Sequence, residues 1–204
     1  MFDIIEQSEN YVTCIKPFGI SSEHDMPKLL TEALGGEIFC VHRLDNAVGG
    51  IMVFAKNRKT AALLSKQISD HTFEKKYLAV IEGKPSENSG EMRDLLFKDS
   101  FKNKSYVVKR MRKGVKEAVL NYNLLSEQNG LSLVEISLIT GRTHQIRVQF
   151  ASRKMPLVGD RRYGSKIPSD NICLWSHSLS FYDNNGEKVS FTSPPPHCLY
   201  FDEF

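Results

Sequence analysis

The chain has 204 residues, 41% of them hydrophobic and 25% charged, with a formal net charge of +3. These values belong to an ordinary globular protein and argue against a disordered or low-complexity chain. No apolar run reaches transmembrane length. The start, Met1-Phe2-Asp3-Ile4-Ile5-Glu6, has no basic segment and no long apolar core. Neither a membrane span nor a secretion signal is expected, and the expected location is the cytoplasm.

Tyr11 to Ile15 reads as a strand stopped by Lys16-Pro17-Phe18-Gly19. Pro27 to Leu34 reads as a short helix with Pro in its first turn and Gly35-Gly36 past its end. Ile38 to Val41 is a strand entering a short loop. Ile51 to Ala55 is the strand leaving it, with Gly49-Gly50 as the turn. Thr60 to Ile68 places Ala61, Leu64 and Ile68 on one helical face. Phe73 to Glu82 reads as a long strand, and Ser86 to Gly90 as a loop. Leu95 to Gly114 reads as basic and irregular, with a short strand at Tyr106-Val107-Val108.

Ala118, Leu120, Tyr122 and Leu124 alternate, as do Val134, Ile136 and Leu138, and Asn129-Gly130 is a turn signal between them. A hairpin follows. Thr143 to Arg153 reads as a helix with Thr143 as its N-cap, closed by Pro156. Ile172 to Tyr182 and Lys188 to Phe191 make a last hairpin around Asp183-Asn184-Asn185-Gly186, and Pro194-Pro195-Pro196 is an exit segment. There is no internal repeat. Many strands with interspersed helices predict an α+β fold around a mixed, largely antiparallel sheet with flanking helices.

The four cysteines, Cys14, Cys40, Cys173 and Cys198, form no C-x-x-C pair and have no His at zinc-ligand spacing. Cys14 and Cys40 read as small core residues, and no metal site is expected. Charge is unevenly spread. Lys98, Lys102, Lys104, Lys109, Arg110, Arg112, Lys113 and Lys116 fall in one stretch whose single acid is Asp99. Arg153, Lys154, Arg161, Arg162 and Lys166 form a second cluster. Such clusters supply affinity for a polyanion where they touch phosphates, and otherwise are solvated loops.

The stretch richest in chemistry is Val41-His42-Arg43-Leu44-Asp45. It puts a carboxylate on a short loop between two strands, the setting in which catalytic groups are commonly held. His42 and Arg43 are cationic or hydrogen-bonding neighbours that favour an ionised carboxylate, and such a group can act as a nucleophile. The same pattern also fits a turn Asp in a surface ion pair.

His-Arg-Leu-Asp followed by Gly and an apolar strand resembles the first signature of the RluA-type pseudouridine synthases. Phe73-Glu74-Lys75-Lys76-Tyr77-Leu78-Ala79-Val80-Ile81-Glu82-Gly83 resembles the second. Thr140-Gly141-Arg142-Thr143-His144-Gln145-Ile146-Arg147, then Gly159-Asp160 and Tyr163-Gly164, resembles the third. The order is that of the family and the resemblance runs from about Ile4 to about Pro196. Val48-Gly49 departs from the Thr-Ser usual in the family.

The resemblance implies the pseudouridine synthase fold, two halves around a central active-site cleft, here as one catalytic domain over residues 1–204. Many members also carry an N-terminal S4-type RNA-binding domain. With only about ten residues before the first predicted strand, none is expected here. The resemblance implies isomerisation of a uridine in ribosomal or transfer RNA, with Asp45 as the nucleophile attacking either ribose C1′ or uracil C6. An ordinary aspartate, with a pKa of about 3.9, needs no separate base for this.

Arg147 is expected to hold Asp45. Tyr77 is expected to stack on the displaced uracil and to mediate proton transfer. Arg43 is expected to enter the space left by the flipped nucleotide. His42, Arg142, His144 and Gln145 are further candidates for RNA contact, and Ile146 for an apolar wall near the base. Gly159-Asp160 and Tyr163-Gly164 read as turn and packing residues. No cofactor is expected, because the rearrangement is redox-neutral and needs no group donor. A monomer is the expected state. A second reading is an RNA-binding or RNA-folding protein that keeps the fold but makes little product, favoured only by Val48-Gly49. A glycoside hydrolase has little support, since neither Glu74 nor Glu82 sits in a partner motif for Asp45.

Overall fold

The computed structural model describes residues 2–197 and 200–204. Met1 and Leu199 lie outside the described residues, as does Cys198 among the cysteines considered above. In chain order the elements begin with β1 (Ile4–Gln7), β2 (Tyr11–Lys16), α1 (Asp25–Leu34), β3 (Phe39–Cys40), β4 (Gly49–Ala55) and α2 (Arg58–Ser69). Then come β5 (Glu74–Glu82), β6 (Ser89–Asp99), β7 (Lys104–Val108), β8 (Val115–Gln128) and β9 (Leu131–Leu138). Last are α3 (Gln145–Ser152), a 3₁₀ turn at Arg161–Tyr163, β10 (Leu174–Tyr182), β11 (Lys188–Thr192) and a 3₁₀ turn at Tyr200–Glu203. The chain divides into two compact units, Met1–Lys76 with Trp175–Pro195, and Tyr77–Leu174 with Pro196–Phe204.

In the first unit β2 lies between β1 and β4 and is antiparallel to both. The far edge of β4 is shared. Its C-terminal end pairs antiparallel with β3, and its N-terminal end pairs parallel with β10, at Trp175↔Gly49 and Ser176↔Gly50. The sheet is therefore mixed, as the alternation of apolar segments predicts. β11 adds antiparallel to β10. Helix α2 starts with the Asn57 side chain accepting from Thr60 N at 2.9 Å, a cap worth about 1 kcal/mol. It turns Ala61, Leu64 and Ile68 onto a core of Tyr11, Ile51, Val53, Phe73 and Phe181. Phe73 stacks on Phe181 with ring centroids 5.6 Å apart.

In the second unit the strand order is β5-β9-β8-β6-β7. β8 and β9 form the expected hairpin, with Asn129 and Gly130 both at positive φ. Val80, Ile81, Val134, Ile136 and Phe150 are buried in it. Val148 of α3 packs on Leu96 and Ala118.

Four local expectations need correcting. β1 was not anticipated, because all of its residues are exposed and carry no alternation. Gly49-Gly50 is not a turn but the first two residues of β4. A Cβ on Gly50 would stand 2.4 Å from the Ser176 carbonyl oxygen, so glycine here is what lets β10 approach. The stretch from Leu95 is not irregular: β6 and β7 form a paired hairpin. Its pattern was obscured by Asp94, which lies between the buried Met92 and Leu96 and binds Gln149 and Arg153, each at 2.8 Å. Thr143 does not cap α3. His144, at φ 54°, precedes the helix without a side-chain cap.

Candidate active site

The turn that carries Asp45 is fixed from several sides within the first unit. Ser22 Oγ donates to Leu44 O at 2.9 Å and accepts from Leu44 N at 3.0 Å. Val48 N closes the turn on Asp45 O at 2.9 Å. Asn46 O accepts from Gly19 N at 2.7 Å and from Lys16 Nζ at 3.4 Å. Every one of these bonds holds backbone, so the Asp45 side chain, itself half-buried, is presented on a defined frame.

Lys16 is the unexpected member. Sequence reading treats it as a strand stop, yet its side chain is wholly buried. Its ammonium donates to Pro17 O at 2.8 Å and Ile20 O at 2.9 Å as well as to Asn46 O. Burial lowers its pKa to about 8, and the negative charges of Asp45 and Asp25 pull against that shift.

His42 does not supply the cationic neighbour that the sequence suggests. It is buried, its Nε2 accepts from Val53 N at 3.1 Å, and its ring lies 5.4 Å from that of Phe73. Burial, then the charge of Lys75, lowers its pKa well below the usual value, so it is neutral. Its bond to Val53 N makes it a support for β4. Arg43 is exposed and pairs with Glu23 at 3.0 Å. The unusual Val48-Gly49 has a packing explanation. Val48 is buried, and a Cβ on Gly49 would lie 2.5 Å from the Trp175 ring.

In the second unit Tyr77 is buried on β5. Arg147 is the third residue of α3 and is buried as well. Its Nε donates to Asp160 Oδ2 at 2.6 Å and its Nη2 to Asp160 Oδ1 at 2.9 Å. The guanidinium carbon lies 5.1 Å from the centre of the Tyr163 ring. Tyr163 OH meets His144 Nδ1 at 3.0 Å and accepts from Ser105 N at 2.8 Å.

Asp160 and Tyr163 thus do more than shape a turn: they hold the third signature's arginine. The Gly-Asp and Tyr-Gly pairs were the only sequence signal of this, and their link to Arg147 is a long-range one. Gln145 is committed to the protein. Its Oε1 accepts from Thr140 Oγ1 at 2.8 Å and Arg142 N at 2.9 Å, and its Nε2 donates to Val119 O at 3.1 Å. It shapes the turn into α3. Ile146 is buried. Arg142 is half-buried and donates from Nε to Glu117 O at 2.8 Å.

Among the described residues no three His, Cys, Asp or Glu side chains converge as a metal site. No helix there is long and apolar enough to cross a membrane.

Residues 10–152 match the family model described as RNA pseudouridylate synthase. The chain belongs to that family, and the RluA-type kinship carried by the three signatures is borne out. It is 39% identical over 127 residues to an uncharacterized RNA pseudouridine synthase, YhcT, of Bacillus subtilis, covering 61% of this chain and 41% of that protein. It is 33% identical over 165 residues to the ribosomal large subunit pseudouridine synthase C of Buchnera aphidicola, covering 76% of this chain and 52% of that one. The chain thus spans about half the length of these curated relatives. The solved structure of human RNA Pseudouridylate Synthase Domain Containing 1 superposes with a TM-score of 0.84 at 21% identity, over 100% of this chain and 87% of that one. At that identity the likeness bears out the fold.

Proposed function

We propose that the chain isomerises a uridine of structured RNA to pseudouridine, with Asp45 as nucleophile. The observation that carries this reading is the half-buried Asp45 on a turn whose backbone is held by Ser22, Lys16 and Gly19. A nucleophile must meet one ring atom at one distance, and such a frame lowers the cost of holding it there. Attack at C1′ or at C6 would begin the detachment of uracil from its ribose. The base then turns and rejoins through C5, and the C5 hydrogen leaves as a proton.

Arg147 is the proposed partner that orients Asp45. A guanidinium can hold a carboxylate through two parallel hydrogen bonds and so fix its orientation. Tyr77 is the proposed stacking and proton-transfer residue. Arg43 is the proposed occupant of the space vacated by the flipped nucleotide, exchanging its surface pair with Glu23 for contacts with RNA. Arg142 and His144 are proposed RNA contacts. The names of relatives such as the Buchnera protein favour ribosomal RNA over transfer RNA as the first substrate to try. The enzyme is proposed to act as a cytoplasmic monomer.

The test is site mapping. Total RNA from cells lacking the gene is incubated with the protein, treated with carbodiimide to mark pseudouridine, and reverse transcribed. A new stop at one uridine is expected. RNA that is bound but yields no new stop would contradict the isomerase reading and favour an RNA-binding role.

A further inference from the structure

Phe101 stands at the turn between β6 and β7 and is fully exposed, at 105% of its reference area. A lone apolar side chain on a surface is common and by itself means little. This one differs in two respects.

The first is that the backbone next to it is fixed. Lys102 N donates to Asp99 Oδ1 at 3.0 Å. Arg162 Nη1 donates to Lys102 O at 3.1 Å and to Asn103 O at 2.9 Å, and Lys104 Nζ returns a bond to Arg162 O at 2.7 Å. Ser105 Oγ donates to Thr143 O at 2.6 Å. Through Ser105 and Tyr163 the tip is tied to His144 and to the Arg147–Asp160 pair. A ring held out in water gains nothing for the fold, but the turn that presents it is already ordered for a partner.

The second is charge. Lys98, Lys102 and Lys104 flank the ring in sequence, and Arg162, beside Arg161, is bonded to the tip. Asp99, the one acid nearby in sequence, already accepts a backbone N–H.

A cationic surface with a presented aromatic ring is the combination that binds unpaired nucleic acid. The cations take phosphates and the ring takes a base face. In a continuous duplex the base faces are occupied by their neighbours, so the ring would find nothing to stack on.

We propose that Phe101 stacks on an unpaired nucleobase while Lys98 and Lys102 hold adjacent phosphates, so that the substrate class is RNA with a loop or single-stranded segment. This rests on the reading of the chain as an RNA-acting protein and narrows it.

The experiment uses fluorescence anisotropy with a short fluorescein-labelled unpaired RNA of mixed sequence, and with the same strand annealed to its complement. Protein carrying Asp45→Asn is used throughout, so that turnover does not enter. Phe101→Ala should weaken binding of the unpaired strand about fivefold or more, Phe101→Trp should restore it, and duplex binding should be unchanged by either. Because the side chain touches nothing it needs for folding, circular dichroism should be the same for all three.

Equal loss on both RNAs, no loss on either, or no binding of the unpaired strand at all would overturn the proposal. So would self-association of the parent protein that Phe101→Ala abolishes, since the ring would then be an interface between copies. Phe101-dependent binding by a protein whose wild type makes no pseudouridine would retain this inference and remove the isomerase reading. Pseudouridine formed with binding indifferent to Phe101 would do the reverse.

Discussion

Arg147 and Asp160 face each other through two hydrogen bonds, 2.6 and 2.9 Å long, with both side chains almost fully buried. The pair fixes the arginine of the third signature from a residue thirteen positions on. Removing the Asp160 carboxylate takes two charge-assisted hydrogen bonds from a buried guanidinium. Asp160→Ala should therefore lower the free energy of unfolding by about 3 kcal/mol or more. Urea denaturation reads this directly, and a loss under about 1 kcal/mol would mean that the pair is not a structural strut.

Lys16 offers a prediction with a defined pH window. Its folded pKa, about 8, lies below its ordinary value of 10.5. Between these two pH values the unfolded chain binds the extra proton, so stability rises with pH across the interval. Below about pH 8 both states are protonated and the cost of burying the charge is fully present. The stability of the wild type relative to Lys16→Met should therefore climb from pH 8 to pH 10.5. Curves that stay parallel would contradict a buried ammonium at this position.

His42 works over a lower range. Its pKa falls well below 6.5 because the ring is buried and Lys75 is near. The unfolded chain takes up a proton there that the folded chain refuses, so stability is lost as the pH drops below about 6.5. His42→Gln, which keeps an acceptor for Val53 N, should show a shallower loss on acidification. An equally steep loss in the variant would assign the acid sensitivity to other groups.

Gly49→Ser restores the residue usual in the family and should nevertheless harm this protein. The new Cβ would meet the Trp175 ring at 2.5 Å, and that ring is held by Phe18 at 5.7 Å and by a bond from its Nε1 to Ser193 O at 3.2 Å. A cost of about 1 to 3 kcal/mol in thermal or urea unfolding is expected. A neutral or stabilising substitution would show that Trp175 can move aside.

What could be read from the sequence was what is local. Alternation marked β8, β9 and the two sides of the last hairpin, and Asn129-Gly130 marked the turn. The three signatures placed Asp45, Tyr77 and Arg147 on a loop, a strand and a helix, and each stands on such an element. What escaped depends on residues far apart in the chain. Nothing in Lys16-Pro17-Phe18-Gly19 says that its lysine will be buried against three carbonyls. Nothing near Arg147 names Asp160 as its partner. The glycines before Ile51 resemble a turn until β10 is laid beside them. β6 hid because Asp94 occupies an inner position and satisfies its charge with Gln149 and Arg153.

Asp45 is the proposed nucleophile of the isomerisation. Tritium release from RNA labelled at uracil C5 measures that step, because forming the new carbon–carbon bond expels the C5 hydrogen. Total RNA from cells lacking the gene is the substrate, and wild type is compared with Asp45→Asn, which keeps the size of the side chain while removing its charge. Release by wild type, with none above background from Asp45→Asn and RNA affinity within a few-fold, is the predicted result. Release by Asp45→Asn at a rate near that of wild type would contradict the assignment of the nucleophile.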